Sequence, residues 1–126
     1  MTAASTLLTT ELRDRLLANG RDRDADHVPL LKLFNPVGAA TWLVTELDAD
    51  GDCLFGLADL GFGCPELGSF SLAELQALRL PFGLAIERDL YFRTTHPLSA
   101  WTAAAGSAGS ISEAEQLLAD VSGSSG

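Results

Sequence analysis

Between Lys32 and Arg79 the chain has no basic residue, while Glu46, Asp48, Asp50, Asp52, Asp59, Glu66 and Glu74 all fall in that stretch. Across all 126 residues, 17 acids face 8 lysines and arginines, for a net charge of −9. Such a charge repels phosphate backbones. Direct nucleic-acid binding would need Arg13, Arg15, Arg21 and Arg23 to gather into one patch, against the acids interleaved with them. Cysteine is scarce too: Cys53 and Cys64 are too few to read as a disulfide framework. No apolar run approaches the ~20 residues that span a bilayer. The N-terminus lacks the apolar core of a signal peptide, because Thr9 and Thr10 are followed at once by charges. Cytoplasmic residence and no membrane partner are the expectations.

What is present is a chain in which 47% of residues are apolar, long enough to bury a core without staples. Leu8, Leu12 and Leu16 recur every four residues and predict an N-terminal helix, capped by Thr9 or Thr10, supported by a Glu11–Arg15 pair and stopped at Gly20. Val28–Phe34 reads as a short strand, and Asn35–Gly38 as a turn. Ala40–Leu47 and Cys53–Leu60 are two β-like runs around the cluster Asp48–Asp52, the pattern of a hairpin. A short strand at Leu67–Phe70 precedes Ser71-Leu-Ala-Glu74, a capping box that opens a helix ending near Leu78. Leu84–Arg93 resembles a last strand, with Ile86, Leu90 and Phe92 on one face and Arg88 either at an edge or paired to an acid. Leu98–Ala105 suggests a short helix, and Ser112-Glu-Ala-Glu115 a second capping box opening a helix through about Val121.

The fold class expected is therefore α+β: a small antiparallel sheet of four or so strands, an N-terminal helix, a short mid-chain helix and C-terminal helices. The division expected is one domain over 1–105, a Gly/Ser linker over 106–110, and a C-terminal helix with a flexible tail over 111–126.

Asp48, Asp50, Asp52 and Asp59 occupy positions 1, 3, 5 and 12 of a calcium-type loop, where hard cations want clustered oxygens. Position 6 is Cys53 rather than glycine, and pairing of Cys53–Leu60 as a strand carries Asp59 about 20 Å from the turn at ~3.3 Å per residue. A plain acidic turn is the simpler reading. A Cys64–His96 nucleophile pair lacks an activating signature, and a zinc site from Cys53, Cys64, His27 and His96 lacks any closely spaced ligand pair. Gly61, Gly63 and Gly68 have Glu66 and Glu74 beside them where a phosphate cradle has a base. Trp42 and Trp101 read as core residues; Phe62, between two glycines, reads as an exposed contact.

Five segments carry a resemblance: Lys32–Leu43, Thr45–Asp48, Phe55–Gly68 with its Asp-Leu-Gly-Phe-Gly-Cys-Pro-Glu run, Ser71–Leu75 and Ile86–Phe92. On these the chain resembles domain of unknown function family 2958, over roughly Leu7–Trp101. The resemblance implies a bacterial cytoplasmic protein, often carried near mobile-element genes, and brings no established activity, cofactor or catalytic residue. The function expected is a non-enzymatic accessory protein of a bacterial mobile element whose acidic surface binds a basic protein partner, nucleic-acid mimicry towards a defence or processing enzyme being one route. Glu46, Asp48, Asp50, Asp52, Phe62 and Glu66 are the candidate contacts. The alternative is a small metal-binding or metal-dependent enzyme domain using the Asp48–Asp59 cluster, with Asp48, Asp50 and Asp52 as ligands. Homodimerisation through an unpaired edge strand is a further expectation.

Overall fold

The computed structural model describes the backbone of residues 7–124 and the side chains of residues 7–119. Its elements run α1 (Thr10–Gly20), β1 (Leu31–Phe34), β2 (Thr41–Leu47), β3 (Cys53–Asp59), β4 (Glu66–Ser71), α2 (Leu72–Ala77), a short 3-10 turn (Pro81–Gly83), β5 (Glu87–Arg88), α3 (Leu98–Ala108) and α4 (Ile111–Ser124). The five strands form one antiparallel sheet in the order β4-β3-β2-β1-β5. The fold is thus α+β, with one strand more than the four or so expected.

Strand β2 lies at the centre and is buried along its whole length, its polar Thr41, Thr45 and Glu46 included, with helices on both faces of the sheet. Its alternate residues enter two cores. Trp42, Val44 and Leu47 join Leu16 of α1, Leu31 and Leu33 of β1, and Leu72 and Leu75 of α2. On the other face Leu43 and Leu57 meet Leu98, Trp101 and Ala105 of α3 and Ile111 and Ala114 of α4. The sheet is therefore sandwiched, α1 and α2 above it and α3 and α4 below. Burying one such leucine contributes roughly 1.5–3 kcal/mol.

Helix α1 docks on β2 through a defect in the strand. The β2–β3 register shifts between Val44 and Glu46, leaving Thr45 as an extra, unpaired residue. Its carbonyl takes the Asn19 side-chain amide at 3.0 Å, and its hydroxyl donates to the Phe55 carbonyl at 3.2 Å. Gly20 is the residue that lets this happen. A Cβ there would lie 2.3 Å from the Leu47 carbonyl oxygen, so the glycine serves a close approach to the sheet, and Arg21 in the right-handed helical region ends the helix. Thr9 caps the other end, accepting from Leu12 at 3.1 Å.

The second half departs from expectation in three places. The last strand is only Glu87–Arg88, because Asp89 bends the chain: its carboxylate accepts from the Tyr91 amide and its carbonyl from that of Phe92. Ile86 and Phe92 consequently enter opposite cores and Leu90 is exposed. Arg88 sits on an edge strand with no acidic partner among the described residues. Gly106–Ala108, expected as linker, completes α3, and Gly109 turns the chain in the left-handed region (φ 88°) so that α4 packs back on α3. Ser110, not Ser112, caps α4, accepting from the Glu113 amide at 3.1 Å. The last residues of the expected tail, 125–126, lie outside the described residues.

Candidate functional site

The hairpin turn between β2 and β3 shows what the Asp cluster does. Asp50 folds back on its own turn, its Oδ1 accepting from the Asp52 amide at 2.8 Å and the Cys53 amide at 2.9 Å. Those bonds, Cys53 first, hold its carboxyl below the ordinary carboxylate range. Gly51 supplies the left-handed step of the turn (φ 77°). Asp48 pairs with Arg23 at 2.7 Å, and Arg23 also lies 3.9 Å from Glu46, which is only 8% exposed.

Asp52 reaches away from the turn to the start of α2. Its two carboxylate oxygens take the Ser71 hydroxyl and the Ala73 amide, both at 2.7 Å, while its carbonyl takes the Leu72 amide. Ser71 in turn caps α2 by accepting from the Glu74 amide at 3.1 Å. The three carboxylates therefore diverge, each to a partner in its own chain. No group of three His, Cys, Asp or Glu side chains placed to hold a metal ion occurs among the described residues. Cys53 and Cys64 are free, and His27 Nε2 lies 2.6 Å from the Asp22 carbonyl oxygen.

Asp59, the fourth member of the calcium-type pattern, sits at the far end of β3, paired with Thr41. It is 3% exposed, and its two oxygens accept the Gly61 and Ile111 amides, each at 2.9 Å. One carboxylate thus ties the glycine loop after β3 to the first turn of α4, where the helix dipole favours negative charge. Phe62 and Glu66 lie at this same end, away from the hairpin turn. The structure therefore divides the six candidate contacts: Glu46, Asp48, Asp50 and Asp52 at one end of the sheet, Phe62 and Glu66 at the other.

At that second end a cleft of about 990 Å³ opens between the Asn35–Thr41 turn, the Asp59–Gly63 loop, the Glu87–Tyr91 segment and the α3–α4 junction. Its rim is apolar and acidic together. Tyr91 on its wall is 88% exposed and Leu90 is also open to solvent, while Phe62, between the lining glycines Gly61 and Gly63, is 83% exposed. Glu87 and Glu113, also lining the cleft, enter no ion pair among the described residues. Lys32, on the cleft wall, is occupied by Glu115 at 3.0 Å and Asp89 at 3.9 Å. Tyr91, Glu87 and Glu113 line the cleft and are not among the contacts expected from the sequence. The available signal for Tyr91 was Asp89 two residues before it, a residue type that turns a chain by bonding the amide two positions on.

The class that this fold and cleft define is a small α+β domain of a family without an assigned activity. The chain belongs to the family described as protein of unknown function (DUF2958), whose model matches residues 7–112. No curated protein and no solved structure gives a significant match to it. Among the described residues no helix is long and apolar enough to cross a membrane.

Proposed function

We propose that the chain is a non-enzymatic interaction protein that binds a basic, partly apolar segment of a partner protein across the cleft at the Asp59 end of the sheet. The observation that carries this reading is the composition of the cleft wall: the nearly fully exposed Tyr91 and the carboxylates Glu87 and Glu113, which enter no ion pair among the described residues, with exposed Phe62 between the lining glycines Gly61 and Gly63. A lysine or arginine gains from the face of an aromatic ring and from a nearby carboxylate at once, and solvent-exposed aromatics close together mark contact surfaces. The acidic surface expected from composition is retained in this reading, but its place moves. The hairpin acids are engaged within their own chain, whereas the rim acids are free to meet a partner's bases.

A library of random linear and constrained peptides displayed on phage tests the reading. Selection on this protein is expected to enrich sequences combining Lys or Arg with aromatic residues. Amide shifts on adding a selected peptide should map to 35–41, 59–63, 87–91 and 109–113. Phe62→Ser with Tyr91→Ser should weaken binding about tenfold or more, since aromatic contact residues dominate such interfaces. Enrichment of acidic or uncharged peptides, or shifts confined to the hairpin turn, would overturn the proposal.

A further inference from the structure

The two edges of the sheet are unlike. The β5 edge is two residues long, and both are charged, which blunts it against further pairing. The β4 edge is six residues long, pairs with β3 without a bulge, and from Leu67 to Ser71 carries no charge and no proline. It has none of the devices by which sheets discourage edge-to-edge contact beyond Pro65 and Glu66 at its start.

Three hydrogen bonds show which of its backbone groups face outward. The Cys53 carbonyl accepts from Asp48 and the Phe55 carbonyl from the Thr45 hydroxyl, so the odd residues of β3 face β2. The Asp52 carbonyl accepts from Leu72, so the even residues face β4. With Leu54 opposite Phe70 and Gly56 opposite Gly68, it is Phe70, Gly68 and Glu66 that bond to β3. The amide and carbonyl groups of Leu67 and Ser69, and the Ser71 amide, therefore point away from the sheet.

We infer that this edge is the seam of a homodimer, in which β4 pairs antiparallel with β4 of a second copy about a two-fold axis at Ser69. In that register the two Ser69 residues exchange both backbone bonds, and each Ser71 amide meets the Leu67 carbonyl of the other copy. Phe70 of each copy falls opposite Gly68 of the other, on the same face of the joined sheet. Gly68 is open there, with no atom within 4 Å of where a Cβ would stand. An aromatic laid beside an edge glycine fills such a gap. The axis also manages the charge of two acidic chains. The pairing segment is neutral, and the two Glu66 residues, three positions from the axis on opposite sides, end roughly 20 Å apart at ~3.3 Å per residue. The result is a symmetric interface made from one surface used twice, separate from the cleft proposed to bind a partner.

Sedimentation over a wide concentration range, with amide hydrogen exchange followed by NMR, tests this. The wild-type chain is expected to show a monomer–dimer equilibrium. Protection of the Ser69 and Ser71 amides should rise with concentration, while that of Gly68 and Phe70 stays constant. Ser69→Pro removes an outward amide and leaves the β3 ladder intact, so dimerisation should weaken about tenfold or more with the melting temperature of the monomer kept. Leu67→Lys, a charge on the same edge, should do likewise. A wild-type chain monomeric at all concentrations, a dimer indifferent to both variants, or concentration-dependent protection elsewhere than at Ser69 and Ser71 overturns the inference.

Discussion

Single carboxylates show how far residue type alone underdetermines role. Asp50 is exposed and Asp59 nearly fully buried, yet both accept two backbone amides. For Asp59, Ala would leave the Gly61 and Ile111 amides without an acceptor in a buried site. Asp59→Ala is expected to cost roughly 2–4 kcal/mol in denaturant unfolding, and Asp59→Asn less, because one acceptor remains. For Asp50 the sign follows from its lowered folded pKa. The unfolded chain holds the proton more tightly, so its contribution to stability is present above the ordinary value of 3.8 and fades as pH falls through the lower folded value. A carboxyl titration by NMR should place the Asp50 midpoint below 3.8, and in Asp50→Asn the acid-side fall in melting temperature should be shallower. A midpoint at or above 3.8 would contradict the bonding seen in the turn.

At the scale of elements, the parts most legible in the sequence were those with local causes. The hairpin and the Thr9 and Ser71 caps follow from contacts within a few residues. The edges of β5 and the continuity of α3 and α4 did not, for physical reasons. Leu84–Arg93 alternates well enough for a strand, but the Asp89 turn wins locally and pulls Tyr91 into the cleft rim. Gly106, Ser107 and Gly109 have linker composition, yet Ala105 and Ile111 on either side are fully buried and hold the segment in place. The bulge at Thr45 was invisible because it is a relation between strands and α1, not a local propensity. It gives a prediction at this scale. Gly20→Ala pushes a Cβ into the Leu47 carbonyl, so α1 must lift off β2, at an expected cost of about 1–3 kcal/mol. Hydrogen exchange should show the loss concentrated in α1 and β2. An unchanged melting temperature would mean that α1 shifts freely over the sheet.

At the scale of the whole molecule, the candidate site is assembled from segments distant in sequence, and α4 is part of it. Residues 109–113 form one wall of the cleft, Ile111 and Ala114 fill the lower core, and the Ile111 amide satisfies buried Asp59. A chain ending at Ala105 would match the domain expected from composition, but it would uncover Leu43, Leu57 and Trp101 and leave Asp59 with one bond. Large apolar side chains that lose their cover cost about 2–5 kcal/mol each when a cavity or water replaces the packing, and a domain has only ~5–15 kcal/mol in all. The truncated chain 1–105 is therefore expected to lose cooperative unfolding and to bind hydrophobic dyes. The full chain, melted under the same conditions, should give one sharp transition. If 1–105 instead melts cooperatively within a few degrees of the full chain, α4 is an appendage, and the cleft wall it supplies is not a fixed part of the site.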